Sequence, residues 1–209
     1  MVQITEKPVE EKRQQLVNII NDMGSMIVAY SGGVDSAFLA AVAHEVLDDK
    51  ALSVTANSPS LAPSELEDAI ALATEQGIHY EIIETKETER EDYQANNPDR
   101  CFFCKDELYS HLIKFADQRG YAVITNGTNV DDLGDYRPGL EAAKQYGVRS
   151  PLVEADLSKQ DIRDLSKKMG LATWDKPAQA CLSSRIPYGT MVTVEALTRI
   201  AKAEHFLRS

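Results

Sequence analysis

The chain has 209 residues and a formal net charge of −11, from 33 acidic and 22 basic side chains. Its hydrophobic share of 43% and charged share of 26% are typical of a globular domain and exclude disordered, collagen-like and fibrous proteins. No apolar run approaches the roughly 18 residues of a membrane span, and residues 1–7 lack a signal-peptide pattern. Three cysteines are too few for a disulfide framework. We therefore expect a cytoplasmic protein without a membrane partner.

The charge is unevenly distributed along the chain. Residues 1–100 carry 19 acidic and 7 basic side chains, whereas residues 101–209 carry 14 and 15. Binding to a nucleic-acid backbone depends on lysine and arginine side chains that neutralise phosphates, so the acidic balance argues against nucleic acid as a partner. It leaves room for a local anion site in the second half.

Short apolar runs alternate with amphipathic segments. In chain order the pattern predicts a helix at 8–23, a strand at 26–30, a helix at 35–47, a strand at 51–56, a helix at 63–77, a strand at 80–83, a polar surface loop at 84–99, a helix at 104–118, a strand at 121–125, a helix at 140–146, an extended stretch at 148–153, and helices at 158–170 and 194–208. Ser64 and Glu67 have the spacing of a capping box that begins a helix, and so do Ser158 and Asp161. The alternation predicts an α/β fold: an open, mostly parallel, twisted sheet with helices on both faces.

The last predicted helix, at 194–208, has no capping glycine and no polar tail after it. This favours a truncated chain over a helix that docks on the main domain. We expect a main domain at residues 1–175. Residues 176–209 would then be a segment with a cysteine and arginines, followed by the start of a small C-terminal region.

Residues 30–36 (YSGGVDS) join a predicted buried strand to a predicted helix. Gly32 and Gly33 let the backbone approach an anion closely, and the helix N-terminus favours negative charge. Ser31 and Ser36 add hydroxyl donors. Asp35 would repel phosphates unless a divalent cation lies between them, a role that suits Mg²⁺. The alternative is a tight turn with serine and aspartate as caps, but the full pattern after a buried strand favours the anion site.

The pattern SGGVDS at residues 31–36 resembles the signature of the PP-loop ATP pyrophosphatases, the adenine nucleotide α-hydrolase-like superfamily that includes GMP synthetase and NAD synthetase. The resemblance implies that ATP is cleaved between its α- and β-phosphates, that a substrate is adenylylated, and that a nucleophile then displaces AMP. It also implies that the loop holds the pyrophosphate portion of ATP.

A second polar segment, residues 125–132 (TNGTNVDD), follows a predicted strand and resembles the superfamily's GTN-x-DD segment. It offers a glycine turn, two donors and two carboxylates, from Gly127, Thr128, Asn129, Asp131 and Asp132. We expect the carboxylates to share Mg²⁺ with Asp35. The alternative is an ordinary turn rich in Asn and Asp. Asn57 and Ser58, after the second strand, are weaker candidates for contacts with adenine or ribose.

Cys101 and Cys104 form a C-x-x-C at the start of a predicted helix, and Cys181 lies far away in sequence. Four interpretations are open. A structural zinc site needs a fourth ligand, and His111 has no recognised spacing for that role. A redox pair lacks a thioredoxin-like context. The third interpretation is that the three thiols are unrelated. The fourth is that three thiolates hold a 4Fe-4S cluster with one iron open to an exogenous sulfide. The ATP loop favours the cluster, because adenylylation creates a leaving group that sulfide can displace.

Three further segments, residues 98–105 (PDRCFFCK), 126–140 with its NGTNVDD and RPGL, and 180–189 (ACLSSRIPYG), resemble the LarE sulfur transferases. These sulfurate pyridinium-3,5-biscarboxylic acid mononucleotide in nickel-pincer cofactor biosynthesis. In one branch, the cysteine at the position of Cys181 gives up its own sulfur and becomes dehydroalanine. The added Cys101 and Cys104 depart from that branch and imply a 4Fe-4S cluster with Cys181 as third ligand. Arg185 is expected to meet an anion at the reacting centre, since guanidinium matches phosphate and carboxylate.

The expected function is therefore ATP-dependent sulfur insertion into a small nucleotide substrate, with Asp35, Cys181 and Arg185 as catalytic residues. Cluster-bound sulfide or the sulfur of Cys181 would displace AMP. Three rivals stand beside it: tRNA thiolation, which needs a basic face; ammonia-dependent amidation of the NAD synthetase type, which leaves the cysteines unexplained; and a non-catalytic nucleotide- or metal-binding module. The family resemblance also implies a homo-oligomer.

Overall fold

The computed structural model describes residues 7–134 and 137–208. Residues 1–6, which belong to the segment predicted not to be a signal peptide, lie outside the described residues, as do residues 135–136 and Ser209. Within the described residues lies a sheet of four parallel strands in the order β3-β2-β1-β4. The strands are β1 (Met26–Ala29), β2 (Ala51–Asn57), β3 (Tyr80–Glu84) and β4 (Val123–Thr125). The helices are α1 (Val9–Met23), α2 (Val34–Leu47), α3 (Pro63–Glu75), α4 (Glu91–Gln94), α5 (Arg100–Arg119), α6 (Pro138–Gln145), α7 (Pro151–Glu154), α8 (Lys159–Lys168) and α9 (Val194–Arg208). The predicted α/β fold class is confirmed.

Helices cover both faces of the sheet. On one face α1, α2, α3, α7 and α8 share an apolar core with Met26 and Val28 of β1. On the other face α5 and α6 pack against Ile27 and Val54. Successive residues of β1 thus alternate between the two faces, as the pleat of a strand requires. Both cores hold the sheet rigidly between helical layers.

The strand order puts a topological switch between β1 and β4. The chain runs from β1 through β2 to β3 on one side, and β4 then pairs with the other side of β1 in parallel. Loops that leave the carboxyl ends of two such strands diverge and open a crevice, where α/β sheets bind ligands. Residues 30–33 and 126–129 leave β1 and β4 at this crevice.

Residues 84–99 are not the surface loop that their polar composition predicts. The segment contains a 3₁₀ turn at Glu87–Glu89 and helix α4, and it buries Tyr93 and Asn96. The Asn96 amide donates to the carbonyls of Pro187 and Thr190, both at 2.9 Å. The prediction was wrong because the surface that buries this segment comes from the C-terminal part of the chain.

Two predicted helix starts differ from the structure. Helix α3 begins at Pro63 with Ala62 as its N-cap and no side-chain cap, so the capping box expected at Ser64 does not form. Helix α5 begins at Arg100 rather than Cys104, which puts the whole C-x-x-C inside its first turns. The capping box predicted for α8 is confirmed, with Ser158 as N-cap.

The second half of the stretch predicted to be extended at 148–153 is helical. Arg149 makes a single parallel bridge to Thr125, and the chain then turns into α7. Pro151 opens this helix because its fixed φ and missing N–H suit the first helical position.

The C-terminal segment packs through a third apolar cluster, separate from the two cores on the sheet. Leu182, Ile186, Val192 and Leu197 gather around Tyr93. The main-chain N–H of Leu182 also donates to the carbonyl of Ser60 at 2.9 Å. The proposed boundary after residue 175 remains a prediction. In residues 7–134 and 137–208, no helix combines the length and apolarity needed to cross a membrane.

Candidate functional site

The turn between β1 and α2 is built around Gly32. Its φ of +71° lies in the left-handed region, and a Cβ there would stand 2.7 Å from the Cβ of Ala69. Glycine is therefore required both for the backbone conformation and for the close approach of α3. The turn brings the chain out of the sheet and straight into α2.

The next residues present hydrogen-bond donors at the start of α2. The hydroxyls of Ser31 and Ser36 lie 3.0 Å apart, and the N–H of Ser31 donates to the Ser36 hydroxyl at 3.2 Å. Gly33 is the N-cap, without a side-chain cap. The first N–H groups of a helix have no partner within it, so this end of α2 suits an anion.

The loop after β4 lies directly against this turn. A Cβ on Gly127 would stand 2.8 Å from the backbone nitrogen of Ser36. The Asn129 amide donates to Oδ1 of Asp35 at 3.3 Å. The two segments that the sequence singles out therefore form one wall of the crevice.

Lys159, at the first position of α8, joins the two loops and was missed by sequence reasoning. Its Nζ lies 2.6 Å from Oδ2 of Asp35, and its N–H donates to Oδ2 of Asp131 at 2.7 Å. The available signal was the Ser158 capping box, which fixes the residue at a helix N-terminus. Nothing in the local sequence indicates which loop that helix faces.

The carboxylates of the second loop are already engaged. Asp132 accepts from the N–H of Asn129 at 3.0 Å and pairs with Arg137 at 2.6 Å. Among the described residues, no three carboxylates converge on one point here. Asp35 is engaged as well, by Lys159 and Asn129. Because Mg²⁺ is held by one or two carboxylates plus phosphate oxygens, the expected role of Asp35 as its ligand stays a prediction.

A cavity of about 420 Å³ extends from the turn over the ends of β1 and β2. Val54, Ala56 and Leu108 give it an apolar wall suited to a flat ring. Cys104 and Cys181 line the same cavity. Asn57 donates instead to Glu84 at 2.9 Å and is not among the lining residues described, so its nucleotide contact stays a prediction.

A larger cavity of about 1010 Å³ lies on the other side of the turn. It gathers the predicted residues Ser31, Gly33, Asp35, Ser36, Cys101, Gly127, Thr128, Asn129 and Asp131. Lys105 and Lys159 line both cavities. Within the part of the chain that is described, the Lys105 ammonium has no hydrogen bond or ion pair, so it is available to an anionic ligand.

The three cysteines are free thiols in different environments. Cys101 and Cys181 are exposed, whereas Cys104 is partly covered. Burial raises the pKa of Cys104 to about 12, against the opposing effect of Lys105. Cys101 and Cys181 lie near enough to raise that pKa further. The charges of the three thiols therefore affect one another beside the turn at residues 30–36.

The two arginines near the thiols have structural partners. Arg185 donates to Glu204 at 2.5 Å and to the carbonyl of Cys181 at 3.1 Å, and it lines neither cavity in the described residues. Its predicted anion contact stays a prediction. Arg100 is buried and donates to the carbonyl of Ser183 at 2.9 Å. Both hold the loop that carries Cys181.

Comparison with known proteins agrees with this arrangement. A family model described as NAD synthase matches residues 9–125. An uncharacterized protein of Synechocystis sp. is 49% identical over 199 residues, 95% of this chain and 74% of that protein. The pyridinium-3,5-bisthiocarboxylic acid mononucleotide synthase of Lactiplantibacillus plantarum is 37% identical over 199 residues, 95% of this chain and 72% of that enzyme. The chain belongs to this LarE family.

Two more distant similarities are to other enzymes. A tRNA-specific 2-thiouridylase of Rickettsia africae is 26% identical over 200 residues, 78% of this chain and 54% of that enzyme. An NH3-dependent NAD synthetase from Campylobacter jejuni superposes with a TM-score of 0.63 at 18% identity, covering 97% of this chain and 88% of that one. The likeness to the synthetase shows the fold alone. The family model and the 37% identical synthase together make the chain an enzyme of the PP-loop ATP pyrophosphatase family, and membership of that family implies ATP and Mg²⁺.

Proposed function

We propose that the chain catalyses ATP-dependent sulfur insertion into pyridinium-3,5-biscarboxylic acid mononucleotide. The observation that carries the proposal is the shared cavity: Cys104 and Cys181 line the same space as Ser31 and Asp35 of the turn between β1 and α2. An activated carboxylate formed at the turn would lie within reach of a sulfur atom. Similarity to the Lactiplantibacillus plantarum synthase supports the choice of substrate.

The first half-reaction uses the turn. The N-terminus of α2, with Ser31 and Ser36, would bind the β- and γ-phosphates as the pyrophosphate leaving group. A substrate carboxylate oxygen then forms a bond to the α-phosphorus, and the bond to the bridging oxygen of pyrophosphate breaks. Lys159 and Lys105 would place positive charge where phosphate charge develops. Mg²⁺, when bound at Asp35, supplies further neutralisation of that charge.

The second half-reaction uses the thiols. A sulfur nucleophile adds to the acyl carbon, and AMP leaves with the electron pair of the broken C–O bond. If Cys181 is the donor, a thioester forms first. Loss of a Cα proton and cleavage of the Cβ–Sγ bond then give a thiocarboxylate and dehydroalanine. The exposure of Cys181 suits such an attack.

The other sulfur source that we propose is a 4Fe-4S cluster held by the same thiols. Within the described chain their sulfur atoms do not converge closely enough to hold a single ion, whereas a cluster is a wider body that takes one thiolate at each of several irons. Lys105 beside Cys101 and Cys104 would offset the negative charge of three thiolates. When bound, the cluster would supply an iron without a protein ligand, to which exogenous sulfide can attach.

The deciding experiment combines ATP, the dicarboxylate mononucleotide and anaerobically purified protein, with and without added sulfide. We expect AMP and pyrophosphate in equal amounts, and a product whose mass shows oxygen replaced by sulfur. The Cys181→Ser variant should still release pyrophosphate with substrate present but form no thiocarboxylate. Amide formation from added ammonia, or labelling of bulk tRNA instead of the mononucleotide, would establish the corresponding rival.

The mass of the protein after turnover separates the two sulfur sources. Conversion of Cys181 to dehydroalanine in step with product indicates the sacrificial route. An intact Cys181, with iron and acid-labile sulfide in the purified chain, indicates the cluster route.

A further inference from the structure

A group of histidines and aspartates lies at the edge of the sheet opposite the crevice. His44 is in the last turn of α2, Asp48 and Asp49 follow it, and His79 directly precedes β3. These positions are at the amino ends of β2 and β3, whereas the cavities open at the carboxyl ends. The group therefore has no part in the proposed sulfur chemistry.

The ligand atoms of this group converge. One ring nitrogen of His44, one of His79 and a carboxylate oxygen of Asp48 all lie within 4.8 Å of one another. Asp48 Oδ1 is 3.9 Å from the His44 nitrogen and 3.7 Å from the His79 nitrogen. A tetrahedral ion with bonds of about 2.0–2.2 Å separates its ligand atoms by roughly 3.3–3.6 Å. On metal binding the two distances from Asp48 would shorten by a few tenths of an ångström, and the two imidazole nitrogens would approach each other to the same separation.

The His44 nitrogen provides an independent sign that a ligand is missing. Nδ1 is buried and has no hydrogen-bond partner in the described structure, although it faces the Asp48 carboxylate. A buried polar atom without a partner costs free energy in either tautomer, as a lone donor or as a lone acceptor. A cation between Nδ1 and Oδ1 would satisfy both groups.

The backbone holds two of the ligands in place. Asp48 has φ +49°, which a non-glycine residue seldom adopts, and its N–H caps α2 by donating to the carbonyl of His44. The carbonyl of His79 accepts from the N–H of Ser53 at 2.8 Å. Oδ1 of Asp49 lies 3.2 Å from Nε2 of His79 and can provide a further ligand to an ion bound there.

We propose that His44, Asp48 and His79 bind a borderline divalent metal ion such as Zn²⁺. Two imidazoles with carboxylate form a donor set that suits first-row ions of this kind, and suits Mg²⁺ or Ca²⁺ poorly. Binding ties the turn after α2 to the loop before β3. Because the ion binds only the folded chain, it raises the unfolding temperature in a concentration-dependent way.

The test is calorimetric titration of Zn²⁺ into the EDTA-treated full chain carrying Cys101→Ser, Cys104→Ser and Cys181→Ser, which removes the competing thiols. We expect one equivalent to bind, and affinity to fall at least about 30-fold in His79→Asn and in Asp48→Asn. Asparagine tolerates positive φ, so the second variant preserves the turn. His111→Asn, which alters an exposed histidine paired with Glu107, is the control and should bind as the parent does.

Equal affinity in all four proteins, or no binding in the parent, would overturn the proposal. If the cysteine variant fails to fold, Co²⁺ is added to the chain with its cysteines intact. A His/Asp site gives weak visible bands that His79→Asn abolishes. A near-ultraviolet thiolate charge-transfer band alone, unchanged in His79→Asn, counts against the site.

Discussion

Lys159 Nζ lies 2.6 Å from Asp35 Oδ2, so a side chain from the start of α8 neutralises the carboxylate in the turn between β1 and α2. With its N–H on Asp131, this lysine connects both loops of the crevice. We propose that Asp35 would hold Mg²⁺ when ATP is bound, and that the Lys159 ammonium would then contact the phosphates. Lys159 would act as a counter-ion in the free protein and as a phosphate contact during catalysis.

Lys159→Ala should lower kcat/KM for ATP. Loss of a hydrogen bond to a charged group costs about 1.5–3 kcal/mol, which corresponds to roughly 10–150-fold. Substrate-dependent pyrophosphate release measures the effect. Lys168→Ala, on the same helix but paired with exposed Glu10, is the matched control. Equal kcat/KM values in the two variants would contradict the role given to Lys159.

Gly127→Ala should separate the two loops. The added Cβ would start 2.8 Å from the Ser36 nitrogen, a contact that only backbone movement can relieve. Overpacking of this kind costs about 1–3 kcal/mol of unfolding free energy and displaces the donors at the start of α2. We expect pyrophosphate release to fall more than about tenfold, since small misplacements of catalytic groups are costly.

Gly134→Ala provides the comparison, because among the described residues a Cβ there meets no atom within 4 Å. Its rate and unfolding temperature should match the parent chain. A Gly127→Ala protein with normal activity would show that the close packing of the loops is not needed.

The predictable parts of this molecule are those with local causes. The apolar run of β1 predicts a buried strand, and the glycines directly after it predict a turn that can bind an anion. Both predictions depend only on residues that are adjacent in sequence. Lys159 was not predictable in the same way, since its partner Asp35 lies far away in sequence. The burial of Tyr93 was missed for a similar reason, because its hydroxyl pairs with Ser183 at 2.6 Å across two segments.

The three thiols should react with iodoacetamide at very different rates in the cluster-free chain. Burial raises the pKa of Cys104 to about 12, so at pH 8 only about one thiol in ten thousand is the reactive thiolate. Cys101 and Cys181 are exposed and should be modified more than about 100-fold faster. Mass spectrometry of timed digests gives each rate. The Cys104 rate should rise about tenfold per pH unit, and a rate equal to that of Cys181 at pH 8 would be inconsistent with its burial.

Asp161 joins α8 to α1 through a buried partner. Lys12, only 3% exposed, donates from Nζ to Asp161 Oδ2 at 2.8 Å. Partial burial alone would raise the pKa of Asp161, but the hydrogen bonds from Lys12 and Ser158 outweigh it, and the pKa is lowered. A carboxylate whose pKa is depressed in the folded state stabilises the protein above its unfolded pKa, and loses that effect as pH falls through the folded value.

Asp161→Asn should therefore lower the unfolding free energy by about 2 kcal/mol at pH 7, since it removes the negative charge from the Lys12–Asp161 ion pair and weakens the helix cap. For a chain of this size that is a fall of about 4–8 °C in unfolding temperature. The difference between variant and parent should close as pH drops below about 3.9, the ordinary value for an aspartate. Glu10→Gln, which removes the exposed partner of Lys168, should change the unfolding temperature at pH 7 far less than Asp161→Asn does. A gap for Asp161→Asn that stayed constant down to pH 2 would mean that lost packing, not the ion pair, causes the destabilisation.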